Sequence, residues 1–181
     1  MAAHRLERPE ITRVHQVWSM DIAADQFFDG AKFRVLTIVD NYSKKSPLLF
    51  VGKRINSVDV VRSLKEAAQR EGCIPEQLQI DNGGEFIAKA LDQWAFENKV
   101  TLDFSRPGKP TDNPYIESFN GKFRDECLST HWFSTLDDVR SKIEAWRNDY
   151  NGFRPHYSLS GLTPNEFLAL QQNRPETLVL R

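Results

Sequence analysis

Alternating apolar and polar positions mark three extended segments early in the chain. Gln16–Ala23 (QVWSMDIA), Lys32–Asn41 (FRVLTIVD at its centre) and Pro47–Val51 (PLLFV) are rich in β-branched and aromatic residues and predict strands. Asp29-Gly30, between the first two, is a turn dipeptide favoured in tight hairpins. Three strands joined by short turns predict an antiparallel meander. The period then lengthens. Val60, Val61, Leu64, Ala67 and Ala68 recur at helical spacing, and Gly72 stands where a helix-ending glycine belongs. Gln77–Asp81 reads as a short strand, Ile87, Ala90, Leu91, Trp94 and Ala95 as a second helix, and Val100–Phe104 as a further strand. A loop, Ser105–Asn113, carries two prolines and a glycine. After it, Asn113-Pro114 predicts a helix start, with asparagine at the N-cap and proline at the first helical position. Another helix runs from Leu136 to Tyr150, and Thr163-Pro164-Asn165-Glu166 opens the last with a capping box.

This order predicts an α/β fold: a mixed five-stranded sheet, in which an antiparallel three-strand meander is extended by parallel strands through helical crossovers, flanked by helices. That is a ribonuclease-H-like architecture. Residues 1–14 are polar and aperiodic and read as a loose lead-in, 15–170 as the core, and 171–181 as a C-terminal tail. The 181 residues suit one compact domain, with 40% hydrophobic residues to fill its core. With 24 basic against 25 acidic residues, no overall positive excess announces nucleic acid, so any such affinity must be local. Cys73 and Cys127 form no C-x-x-C, which excludes a disulfide scaffold and a cysteine zinc finger, and His4, His15, His131 and His156 lack zinc-site spacing with them. No run approaches a membrane span and no signal peptide is apparent, so the expected address is a reducing cytoplasm, with no membrane partner.

Three carboxylates stand out. In Trp18-Ser19-Met20-Asp21-Ile22-Ala23, period two puts Trp18, Met20 and Ile22 on one face and Ser19, Asp21 and Ala23 on the other. An ionised aspartate there is costly unless it is bonded to backbone donors, exposed at a strand end, or bound to a cation. Asp81 closes a strand and precedes Asn82-Gly83-Gly84-Glu85, either a polar turn or a site where ligand approaches the carboxyl end of a strand. Glu117 follows Asn113-Pro114 on a helix whose apolar stripe is Ile116, Phe119, Phe123 and Cys127. Glu117, Asn120 and Arg124 share the adjacent face. An ordinary first-turn glutamate would occupy the same place. The 35 residues between Asp81 and Glu117 decide nothing alone, since 25 acidic residues give about three such pairs by chance.

Context gives the spacing its meaning. Trp-Ser-Met-Asp21, the segment Ile80–Phe86 and the block Ser105–Gly121 (SRPGKPTDNPYIESFNG) resemble the three D-D-E blocks of the retroviral-integrase-type core, and more closely OrfB-type transposases of bacterial insertion sequences. Asn148-Asp149-Tyr150-Asn151, Arg154-Pro155-His156 and Leu162–Phe167 resemble the downstream pattern of those transposases. The resemblance implies a D-D-E polynucleotidyl transferase that cleaves DNA strands and joins them in transposition. It implies catalytic and metal-ligating roles for Asp21, Asp81 and Glu117, with two Mg²⁺ or Mn²⁺ ions in the active complex. Asp21 would bridge both ions, Asp81 hold one and Glu117 the other. Hard oxygen ligands suit such ions, which at roughly 4 Å apart serve in-line displacement at phosphorus.

The implied partners are transposon-end and target DNA and further copies of the chain, as a homodimer or a higher assembly. Arg106, Lys109, Lys122 and Arg124 are candidate phosphate contacts, or members of a solvated loop and helix face, and Asn120 is a candidate substrate contact one turn after Glu117. The helix-turn-helix DNA-binding region expected upstream has no counterpart in this sequence. Leu136, Val139, Ile143, Trp146 and Tyr150 follow heptad spacing for two heptads, a packed core face or a dimer contact. The rival readings are a nuclease of the same fold without strand transfer, and an inactive relict that only binds DNA or partners.

Overall fold

A computed structural model describes residues 8, 10–106 and 112–173. Five strands form one sheet in the order β3-β2-β1-β4-β5. They are β1 (Val17–Gln26), β2 (Lys32–Asp40), β3 (Leu49–Gly52), β4 (Gln77–Ile80) and β5 (Thr101–Phe104). β1, β2 and β3 pair antiparallel, and β4 and β5 extend the sheet in parallel beside β1. The mixed sheet and its meander are as the pattern predicts. β1 continues past Ala23 to Gln26, and Gln26 pairs with Lys32, so the β1–β2 connection is a five-residue turn wider than a tight hairpin. Gly30 takes φ +85 there, a left-handed conformation open to glycine without a Cβ penalty.

Among the described residues are five α-helices: α1 (Ser57–Glu71), α2 (Lys89–Glu97), α3 (Pro114–Glu126) and α4 (Leu136–Gly152), which cover the sheet, and α5 (Pro164–Gln172), which packs on α4. α1 starts on a complete capping box at Asn56 and Asp59 and ends on left-handed Gly72. α5 carries the predicted box, with Thr163 and Glu166 exchanging both bonds. α2 begins two residues later than its apolar spacing suggests. Ile87 lies outside it and is exposed, while Leu91, Trp94 and Ala95 are buried. Asn113 sits at the α3 N-cap but makes no cap bond, its amide turning instead to the Gln79 carbonyl at 3.4 Å.

Alternation along the strands divides the core. Trp18, Met20, Leu36, Ile38, Leu78 and Ile80 face α1 and α2. Ala23, Val35, Val39 and Val51 face α3 and α4, against Ile116, Phe119, Phe123, Val139 and Ile143. The heptad stripe of α4 is therefore core: Trp146 and Tyr150 pack their rings on Phe119 at 5.6 and 5.0 Å. Among the described residues no helix is long and apolar enough to cross a membrane.

Candidate active site

Register places two of the three carboxylates. β1 and β4 run parallel with Ser19 opposite Gln79. Two residues further along each strand direction are Asp21 and Asp81, so alternation sends both toward the α3 side. Asp21 is half-buried. Its Oδ1 accepts the Ile22 N–H at 2.8 Å and its Oδ2 accepts the Asn120 amide at 3.0 Å. Its backbone carbonyl accepts the Thr37 hydroxyl at 3.2 Å, across the β1–β2 pair. Burial pushes the Asp21 carboxyl up to about 6, and the negative charges of Asp81 and Glu117 push the same way, against the pull of the Ile22 and Asn120 bonds.

Asp81 follows β4 and is exposed. Its Oδ1 accepts the Gly83 N–H at 2.8 Å, closing a turn on its own backbone. A Cβ at Gly83 would stand 2.9 Å from that oxygen and 3.1 Å from Glu85 Oε2, so glycine makes room for the carboxylate here. The loop is tied down by an Arg34–Glu85 ion pair and by the Asn82 amide bonded to the Ser105 carbonyl. Glu117, also exposed, rides on the first turn of α3, which is seated by Ile116, Phe119 and Phe123. So both exposed carboxylates act on one half-buried carboxylate. Among the described residues no three His, Cys, Asp or Glu side chains are gathered closely enough to hold an ion. Asp21, Asp81 and Glu117 offer carboxylate oxygens alone, a donor set that fits Mg²⁺ or Mn²⁺ rather than a softer metal.

The other candidates separate. Asn120 contacts Asp21 directly, and its own Oδ1 is buried without a partner. Arg124 is exposed on the Glu117 flank of α3, whereas Lys122 turns to the opposite flank and lines a pocket. Arg106 grips Asp112 through two side-chain bonds of 2.8 Å, an ion pair that holds the Asp112 carboxyl well below its usual range. Lys109 lies outside the described residues. Beneath the site is a buried polar group: the Ser19 hydroxyl donates to Asn41 at 2.8 Å, and the Asn41 amide donates to Gln79 at 3.1 Å. Alternation placed Ser19 on the Asp21 face, and the same rule applied to Gln79 would have marked this support.

The profile of the integrase core domain matches residues 11–110, and a second profile of the same description matches 98–164. The chain belongs to the integrase core domain family. This integrase core is 48% identical over 155 residues to the uncharacterized 31.7 kDa protein of insertion element IS407 from Burkholderia multivorans, covering 86% of the chain and 56% of that protein. It spans about half the length of the curated relatives it matches. Its fold is that of the HTLV-2 integrase catalytic core domain solved in complex with magnesium, at a TM-score of 0.68 and 16% identity over 84% of this chain and 95% of that one. A chain of the simian T-cell lymphotropic virus intasome bound to the PP2A regulatory subunit B56 gamma superposes at 0.76 with 18% identity, over 100% of this chain and 63% of that one. The mixed sheet of the integrase core is thus ribonuclease-H-like, as its element order predicts.

Proposed function

We propose that this integrase core, residues 15–170, is the catalytic part of an insertion-sequence transposase that cleaves DNA strands and transfers them to target DNA. The observation that carries the reading is Asp21: a half-buried carboxylate pressed by Asp81 and Glu117 and oriented by Asn120. A carboxylate carried partway out of water, with two further negative charges acting on it, is costly to a fold unless a cation relieves it. Asp21, Asp81 and Glu117 would hold two Mg²⁺ ions. When bound, such ions lower the pKa of an attacking water or DNA 3′-hydroxyl and steady the leaving oxygen. The chain itself supplies no nucleophile. Its residues position: Asn120 and the Ile22 N–H fix the Asp21 oxygens, Gly83 admits the Asp81 carboxylate, and Arg124 takes a strand phosphate beside Glu117. Arg106 is held to Asp112, just ahead of α3.

Glu117→Gln tests this. In Mg²⁺, with DNA carrying the element's ends, the variant is expected to lose both nicked and joined products while remaining folded. Wild-type joining by that variant would overturn the reading. Wild-type cleavage without any joined product would assign the chain to the nuclease alternative instead.

A further inference from the structure

On the flank of α3 turned away from Glu117 lies a pocket of about 310 Å³, lined by Lys44, Tyr115, Phe119, Lys122, Tyr150 and His156 among others. Its walls come from the β2–β3 connection, α3, α4 and the segment before α5. Three features set it apart from a chance cleft. His156 is 5% exposed and its Nε2 is buried with no partner. Lys44 lies 4.1 Å over the Tyr115 ring and gives one bond, to the Asn41 carbonyl at 2.7 Å, leaving two ammonium hydrogens uncommitted among the described residues. Lys122 pairs with no carboxylate among the described residues, and beside it Arg154, bridged to Glu126 through one nitrogen at 2.6 Å, keeps its Nη1 buried and unpartnered.

These groups strain against one another. Burial lowers Lys44 to about 8, with Lys122 pushing the same way and Asp40 opposing. Burial lowers His156 to about 4, and the positive charges of Lys122, Arg154 and Lys44 add to it. Positive groups gathered around a recess with aromatic walls form a site short of an anion, and the low-dielectric walls strengthen what each donor contributes.

We infer that this pocket binds a phosphate group, with Lys44 and Lys122 donating to its oxygens against the wall that carries His156. Tetrahedral oxygens accept from donors arriving on several sides, and the volume admits a phosphate with part of an attached sugar. Where that phosphate belongs to DNA, the inference rests on the strand-transfer reading. α3 then stands between pocket and Glu117, about 10 Å across, so a strand passing round it covers about 16 Å, about five nucleotides at roughly 3.4 Å each.

The test follows the His156 ring proton by NMR in the metal-free chain, at constant ionic strength set with chloride. Inorganic phosphate is expected to shift it saturably. Lys122→Gln and Lys44→Gln are each expected to weaken that binding about tenfold, while Glu117→Gln leaves it intact. A short single-stranded oligonucleotide that reproduces the shift and displaces phosphate identifies DNA as the source. An oligonucleotide without effect, beside a mononucleotide that acts like phosphate, identifies a free phosphorylated metabolite. A ring that neither phosphate nor oligonucleotide moves, or a shift undiminished in both lysine variants, overturns the site. Absence of the shift with joining intact removes the pocket alone; loss of joining control by Glu117 with the shift intact removes the strand-transfer reading alone.

Discussion

Asp21→Asn is expected to stabilise the metal-free protein near neutral pH and to do nothing for it in acid. The folded chain holds the Asp21 proton up to about 6, against 3.8 for a free aspartyl side chain. Folding therefore binds this proton more tightly than unfolding does. Stability is greatest below the unfolded value, falls as pH rises through the folded one, and levels off above it. The separation of about two pH units is worth roughly 3 kcal/mol at 1.36 per unit, and partial exposure brings this to about 2. Asparagine fits the place: Asn120 can turn its amide so that its buried, unpartnered Oδ1 accepts the new N–H. Urea unfolding of both proteins in chelator, from about pH 4 to about pH 7.5, reads the difference. Groups whose folded pKa is depressed, such as Asp138 and Glu144, titrate alike in both and cancel. The gap should open from near zero to about 2 kcal/mol in favour of the variant as pH rises. Added Mg²⁺ should close it by stabilising the wild type alone. A gap independent of pH, or a wild type more stable at the upper end, would refute the account of Asp21.

Gly83→Ala puts a Cβ 2.9 Å from Asp81 Oδ1, so metal-dependent joining should fall about tenfold to a hundredfold, with the urea midpoint unchanged; wild-type joining would show that Asp81 need not sit where Gly83 lets it. Asn151→Ala removes both bonds to Ser46, at 2.9 and 2.8 Å, and leaves the buried Ser46 N–H unpaired. Urea denaturation should register a loss of about 2 kcal/mol, and one under about 0.5 would mean that water fills in. Phe123→Ala empties a fully buried position between Phe119 and Trp146, for an expected loss of about 3–5 kcal/mol; a loss of about 1 would mean the α3–α4 contact collapses onto the gap.

What could be read in advance follows from periodicity. Alternation placed Asp21 with Ser19 and Ala23 because a strand has only two faces to offer, and the structure shows that face covered by α3 and α4. The stripes of α3 and α4 were legible for the same reason, and each closes on the other. Buried polar residues escaped. Arg147 and Asn151 look like solvent-facing positions of α4, yet both are buried on the Ser46 and Pro47 backbone, about a hundred residues away in sequence. Nothing local signals a partner that only tertiary contact supplies. Asn113 misled in the opposite sense: its residue type suits a cap, but the Gln79 carbonyl on β4 competes for the same amide. The phosphate pocket was invisible for a third reason, since Lys44, Lys122 and His156 meet only once α3, α4 and the β2–β3 connection have packed.

The arrangement of the trio shows how the fold tolerates a site that opposes it. Burial raises the proton affinity of Asp21, and the charges of Asp81 and Glu117 add to it. Asp81 and Glu117 remain exposed, where water screens them, with Asp81 further quieted by the Gly83 N–H. Only Asp21 is carried partway inside, because its strand lies at the centre of the sheet between β2 and β4. The cost is thus concentrated on one residue and eased there by the Ile22 N–H and by the amide of Asn120, which is borne by the same helix as Glu117. α3 therefore brings both the third negative charge and the neutral donor that offsets it. A shift of that helix would move the two together, and their effects on the Asp21 proton oppose each other.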